Sequence, residues 1–233
     1  MNKNDLKYNE YVKILAEELI PATGCTEPIA LAYAAAKARD VLGAAPERCH
    51  VEISGNIIKN VKSVIVPNTN SLKGIEAAVA AGITVGESSK MLEVLSDVRD
   101  EDKPKIAEYQ ENHEICIIPN EGNSLFYINV TLFNGDSYAK VVIENYHTNI
   151  VLIEKDCETL FRAGSNIDSS VGVTDRSLLN VKDIVDFADT VELSDIEAVI
   201  VRQIEYNSAI AAEGLAGNWG ANIGKTLLGT YGS

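Results

Sequence analysis

The stretch EICIIPNEGNSLFYINVTLFNGDSYAKVVIENYHTNIVLIE (residues 114–154) decides the fold class. Its four runs are dominated by β-branched and aromatic residues and are separated by Asn120–Asn123, Asn134-Gly135 and Asn145–His147. Asn134-Gly135 tolerates the positive φ values of a type I′ turn, so the runs on either side of it form a hairpin. The stretch predicts an antiparallel meander.

Upstream, residues 49–66 (CHVEISGNIIKNVKSVIV) read as further β structure interrupted at Gly55 and Asn56 and ended by Pro67. Residues 5–20 recur apolar at helical spacing until Pro21, and a second helix runs from Glu27 or Pro28 to Leu42, with Gly43 as its stop. That second helix is apolar nearly all round and should be buried. Leu72 to about Ala81 and Ser88 to Val98 read as helices, and residues 99–105 (RDEDKPK) as a solvated helix end or loop. Downstream, the polar, glycine-bearing residues 163–176 form a connector or hairpin tip. Asn180 caps a short helix, Ser194–Glu197 is a capping box opening a long helix to about Ala212, and Asn222–Leu228 begins another. The order of helices, strands and helices predicts an α+β fold: an antiparallel sheet (residues 114–154 plus strands over 49–66) with helices packed on it, in a single domain over 1–233.

The chain has 233 residues, 34 acidic against 20 basic, and a formal charge of -14. Such a surface repels phosphates and anionic lipid, so neither nucleic acid nor a membrane is an expected partner. The polar start at Met1–Glu10 has no apolar core of a signal peptide, and no run approaches the ~20 apolar residues of a membrane span. A cytoplasmic protein is expected. Cys25, Cys49, Cys116 and Cys157 are too scattered for a disulfide scaffold or a local zinc site.

Residues 21–28 (PATGCTEP) carry the chemistry. Cys25 precedes a helix whose first amides lack intrahelical partners, a setting that favours thiolate and also binds carboxylates. Gly24 permits close backbone approach, Thr26 can cap with its hydroxyl, and Glu27 can serve as a dipole partner or a general base. A small buried thiol at a helix start accounts for the same pattern without function, and both readings stand on spacing alone. His147, beside Thr148 and Asn149 at a strand junction, is the best-placed histidine for a cleft. Asn56, Asn60 and Asn68 lie at bends where amides could hold a small zwitterion, although turn chemistry alone would also place them there. Gly220–Thr226 lacks the spacing of a phosphate-binding loop.

PATGCTEPIALAYAAAKA, SGNIIKNVKSVIVPN, HTNIV and the late GKTL together resemble the L-cysteine desulfidase family, relatives of the iron–sulfur L-serine dehydratases. The likeness runs from about residue 10 to the chain end. It implies an α,β-elimination of L-cysteine to sulfide, ammonia and pyruvate, with a [4Fe–4S] cluster and no pyridoxal phosphate. A serine-specific version is the neighbouring reading. By the resemblance Cys25 is the essential N-terminal cysteine, as cluster ligand or as acid/base with Glu27. Thr26, Asn56, Asn60, Asn68, His147, Thr148 and Asn149 become substrate-binding candidates. Family members are about twice as long, with their other cluster cysteines in a C-terminal half that this sequence does not match. The expectation is therefore a chain that alone binds no cluster and is inactive: a truncated product, a split subunit needing its partner, or a decayed gene product. The alternative is a non-catalytic amino-acid-binding or assembly module that lacks the cluster domain. Apolar surface left by a missing half would favour a homodimer.

Overall fold

The computed structural model describes residues 1–163 and 174–232. They form helices α1 (Leu6–Glu18), α2 (Thr26–Leu42), α3 (Gly55–Val61), α4 (Gly74–Val85), α5 (Lys103–Asn112), α6 (Val181–Thr190), α7 (Leu193–Ala216) and α8 (Ile223–Tyr231). The strands are β1 (Arg48–Ser54), β2 (Glu114–Asn120), β3 (Tyr127–Asn134), β4 (Ser137–Glu144), β5 (Ile150–Lys155) and β6 (Glu158–Arg162). The fold is α+β. The chain divides into two compact units, Pro21–Ile167 and Met1–Ile20 with Asp168–Ser233. Each unit has its own apolar cluster.

In the first unit the six strands follow the order β2-β1-β3-β4-β5-β6. The meander holds from β3 through β6 with antiparallel pairing, and Asn134 and Ser137 close the hairpin at Gly135, where φ is +55°. It does not include β2. That strand pairs in parallel with β1, which is inserted between β2 and β3. Two features of the sequence account for this. Pro119 withholds an amide and suits an edge strand, and Cys49, Val51 and Ile53 of β1 are buried, which suits a central one.

The second half of the expected 49–66 strand is helix α3. Ile57 and Val61, four apart and fully buried, form its inner stripe, so the Ser54-Gly55-Asn56 step changes the period as well as ending the strand. Residues 103–112, the start of which reads as solvated, are helix α5, with Pro104 in its first turn and Ile106 and Tyr109 inward. Of the helix expected over 88–98, only a 3-10 segment at Ser88–Glu93 forms, broken at Met91 with φ 47°. The connector expected over 163–176 lies largely outside the described residues.

Helix α2 lies against the sheet, and α4 packs on α2. Their alanines serve close approach: a Cβ added at Gly82 of α4 would lie 2.2 Å from the Ala32 carbonyl oxygen of α2. Gly43 ends α2 in the left-handed region at φ 71°, as its position predicts.

In the second unit Phe187 of α6 packs edge-on against Tyr8 and Tyr11 of α1, with centroids 5.5 and 5.4 Å apart. The Tyr8 hydroxyl donates to Asp195 at 2.7 Å, and Arg176 pairs with Glu17 and Glu18 of α1. Asn180 caps α6 by accepting from the Asp183 amide at 2.9 Å, as expected. Helix α7 starts before the expected capping box, at N-cap Glu192, so Ser194 sits inside the first turn. No residue of α7 or α8 is buried.

Candidate functional site

The sequence Thr23-Gly24-Cys25 brings the chain into α2 through a turn that only glycine permits. Gly24 has φ +81°, and a Cβ there would stand 2.8 Å from Pro67 Cγ. Cys25 is the N-cap residue in extended conformation, and no side chain caps the helix. The capping role expected of Thr26 is therefore absent. Its hydroxyl turns instead to Glu27 Oε2, at 3.4 Å. A carboxylate in the first turn already complements the helix dipole, which removes the need for a hydroxyl cap.

The Glu27 carboxylate is the hub of the site. Oε2 accepts from Cys25 Sγ at 3.2 Å and Oε1 from Asn60 Nδ2 at 3.3 Å. Asn60 comes from the last turn of α3, and so from the segment whose helical period places its side chain here. His147 approaches from the β4–β5 connection, its ring edge-on to Phe126 with centroids 4.5 Å apart. Its Nε2 is shielded from solvent and has no hydrogen-bond partner among the described residues.

Three protonation states follow. Burial pushes the Glu27 carboxyl up, but hydrogen bonds from Cys25, from its own helix amide and from Asn60 outweigh it and hold the group ionised, below its ordinary value. Partial desolvation by neighbouring atoms and the Glu27 carboxylate push the Cys25 thiol up. The helix start alone would favour thiolate, yet an adjacent carboxylate reverses that expectation. Burial lowers His147, against the opposing pull of Glu27, so its neutral form is favoured. The site thus holds a carboxylate base, a protonated thiol and a neutral imidazole.

Of the residues the sequence singles out, Cys25, Thr26 and Asn60 converge on Glu27 through hydrogen bonds, and His147 lies near enough to feel its charge. Asn56 is exposed in the first turn of α3 and makes no contact with the carboxylate. Asn68, with φ 57°, donates to the Leu95 carbonyl at 2.8 Å and braces the loop beside Pro67. Asn149 donates to the Glu144 carbonyl at 2.8 Å and closes the connection that presents His147, while Thr148 contributes its backbone carbonyl to the same turn. Phe126 and Asn145 are the supports not anticipated: Asn145, at φ 67°, donates its amide to the Phe126 carbonyl. An Asn directly before Tyr-His is the one local signal of such a turn.

The described residues do not fit a [4Fe–4S] cluster. Such a cluster takes four ligands, and Cys25 is the only cysteine at the site. Cys49 is buried in β1, Cys116 is on β2 and Cys157 lies in the β5–β6 turn. Among the described residues no group of three or more His, Cys, Asp or Glu is arranged to hold a metal ion. No described helix is long and apolar enough to cross a membrane.

Fold and site define an α+β protein with a thiol–carboxylate pair at the mouth of a buried helix. Its homologues are proteins of the UPF0597 family. A UPF0597 protein of Desulfitobacterium hafniense is 51% identical over 234 residues, covering 100% of this chain and 54% of the relative. Relatives of the same name in Treponema denticola and Fusobacterium nucleatum are 44% and 42% identical over 98% of the chain, covering 53% and 55% of their own lengths. The chain therefore spans about half the length of the curated relatives it matches. No family model and no solved structure matches it.

Proposed function

We propose that this chain supplies the proton-transfer site of an amino-acid lyase that eliminates sulfide from L-cysteine. One observation carries the reading: an ionised Glu27 carboxylate accepts from a protonated Cys25 thiol at 3.2 Å, with a neutral His147 near enough to feel its charge. An α,β-elimination needs a base for the Cα proton and an acid for the leaving sulfur, and this pair offers both.

In the proposed cycle Glu27 takes the Cα proton, and the electron pair left behind forms the Cα–Cβ double bond. The Cβ–S bond breaks with its electrons on sulfur, which takes the Cys25 proton and departs as hydrogen sulfide. Glu27, now protonated, returns its proton to the Cys25 thiolate along the existing hydrogen bond and resets the site. The aminoacrylate product tautomerises to an imine, and water hydrolyses it to pyruvate and ammonia. Asn60 holds the carboxylate in position. His147, with its Nε2 buried and unpartnered among the described residues, contributes a neutral imidazole to the surroundings of the carboxylate. The whole activity belongs to the longer protein, and a [4Fe–4S] cluster would draw the ligands that these residues lack from the additional length its relatives carry.

The test is turnover of L-cysteine by this chain joined to that additional length. Sulfide and pyruvate should appear in equal amounts, and Glu27→Gln should lower kcat by about 10²- to 10⁴-fold. Sulfide release that survives both Glu27→Gln and Cys25→Ala sinks the assignment. Pyruvate from L-serine in preference to L-cysteine identifies the serine-specific version. One observation favours a non-catalytic amino-acid-binding module: the single cysteine brought to the site. Calorimetry would identify it by stoichiometric L-cysteine binding without turnover.

A further inference from the structure

We propose that the α7–α8 hairpin is the docking surface for the additional half of polypeptide that the UPF0597 relatives carry. Helix α7 is 24 residues long, rich in aliphatic side chains, and has no buried residue. Ile204, Ile210 and Leu215 on α7, and Ile223, Leu227 and Leu228 on α8, are all exposed, Ile210 to 70%. The hairpin packs lightly on itself: a Cβ added at Gly224 would stand 3.7 Å from Leu215 Cδ2, and Lys225 Nζ donates to the Ala216 carbonyl at 3.3 Å. Helices apolar on several faces are stable where something covers them, and a contiguous exposed apolar patch marks an interaction site.

What covers it follows from length and charge. The chain matches the relatives along its whole length and accounts for only about half of theirs, so each relative carries a comparable length of further polypeptide in the same chain as this hairpin. Tethering supplies the high effective concentration that docking between halves needs. A second copy of this chain fits poorly. Glu197, Glu205 and Glu213 stand on α7 against Arg202, and a two-fold contact would bring two such acidic faces together on chains of charge -14. The docking half should therefore present an apolar face with a basic rim. This inference does not depend on the lyase reading.

Hydrogen exchange on this chain and, in parallel, on the full-length Desulfitobacterium hafniense relative tests it. Amides of α7 and α8 should exchange at least about tenfold more slowly in the relative's aligned segments, while segments aligned with α2 stay equally protected in both. Equal exchange across the hairpin in the two proteins overturns the proposal. So does slow exchange in this chain alone accompanied by a dimer in light scattering, which would identify a second copy as the cover. Ile204→Asp combined with Ile210→Asp should leave the melting temperature of this chain unchanged. A marked fall there would mean that the face is already covered, and would overturn the proposal as well.

Discussion

Helices α2 and α7 are both built largely from alanine and aliphatic residues, yet eleven residues of α2 are buried and none of α7 is. On composition alone the two would be assigned similar surroundings. The difference lies in what meets them. Helix α2 is enclosed by α4 and the sheet, whereas α7 contributes only its first turns to the small cluster around Phe187. An apolar helix states that it needs cover, and only its neighbours say whether the cover is present.

The largest expected effect comes from making one truncation in each helix. Leu31, fully buried in α2, should cost about 3–5 kcal/mol when changed to Ala, because the cavity left behind adds to the lost transfer energy. Ile210→Ala on α7 should change the stability of this chain by less than about 0.5 kcal/mol. Urea denaturation of both variants reads the contrast directly. Similar losses in the two would abolish the distinction between the helices.

A smaller loss is expected at the crossing that encloses α2. Gly82→Ala must push the Ala32 backbone away, since its new Cβ would lie 2.2 Å from a carbonyl oxygen. A cost of about 3 kcal/mol is expected, at the upper end for overpacking because backbone and not a flexible side chain has to yield. Gly43→Ala meets nothing within 4 Å and carries only the strain of its positive φ. Thermal melts should rank Gly82→Ala as the more damaging of the two.

Much of this arrangement is legible in the sequence where the determinants are local. Asn134-Gly135 gives the hairpin, Gly43 the stop of α2 and Asn180 the cap of α6, each through chemistry contained within a few residues. Long-range choices are not legible in that way. Nothing in Glu114–Asn120 announces a parallel partner, although Pro119 already restricts the strand to an edge. Ile57 and Val61 sit in a β-branched run, and their spacing of four is outvoted by composition unless period is weighed first. The site divides likewise. Cys25 and Glu27 are neighbours in a recognisable motif, but only the fold brings Asn60 to the carboxylate and His147 near enough to feel its charge. Asn68 and Asn149 illustrate the converse, since turn-forming amides look like ligands in sequence and prove to be bracing backbone carbonyls.

The exposed mouth of α2 should also make stability depend on pH, with a more modest effect. His147 in the fold lies below its ordinary 6.5, so between the two values the unfolded chain binds more protons. Its contribution is complete above pH 6.5 and is lost as pH falls below that. Glu27, lowered from 4.5, acts in the same sense further down, with its contribution lost as pH falls below 4.5. Cys25, raised from 9.0, acts in the opposite sense: its contribution is present below pH 9 and lost as pH rises above it. Urea midpoints between pH 5 and 7 should slope upward, and His147→Asn should flatten that slope. An unchanged slope would mean that the imidazole does not sense the buried environment.

The smallest effect is kinetic and isolates the one point where α2 meets solvent. Cys25 is exposed, so access does not limit its reaction with iodoacetamide, whereas its protonation does. Glu27 holds the proton on sulfur through a hydrogen bond and its negative charge. Glu27→Gln removes the charge while keeping an acceptor of the same shape, so the thiolate fraction at fixed pH rises and alkylation of Cys25 accelerates. Peptide mapping separates this thiol from exposed Cys157, which stands away from the carboxylate and serves as the internal control. A rate at Cys25 that does not change relative to Cys157 would show that the carboxylate fails to govern the thiol, and the acid–base pairing at the mouth of α2 would fail with it.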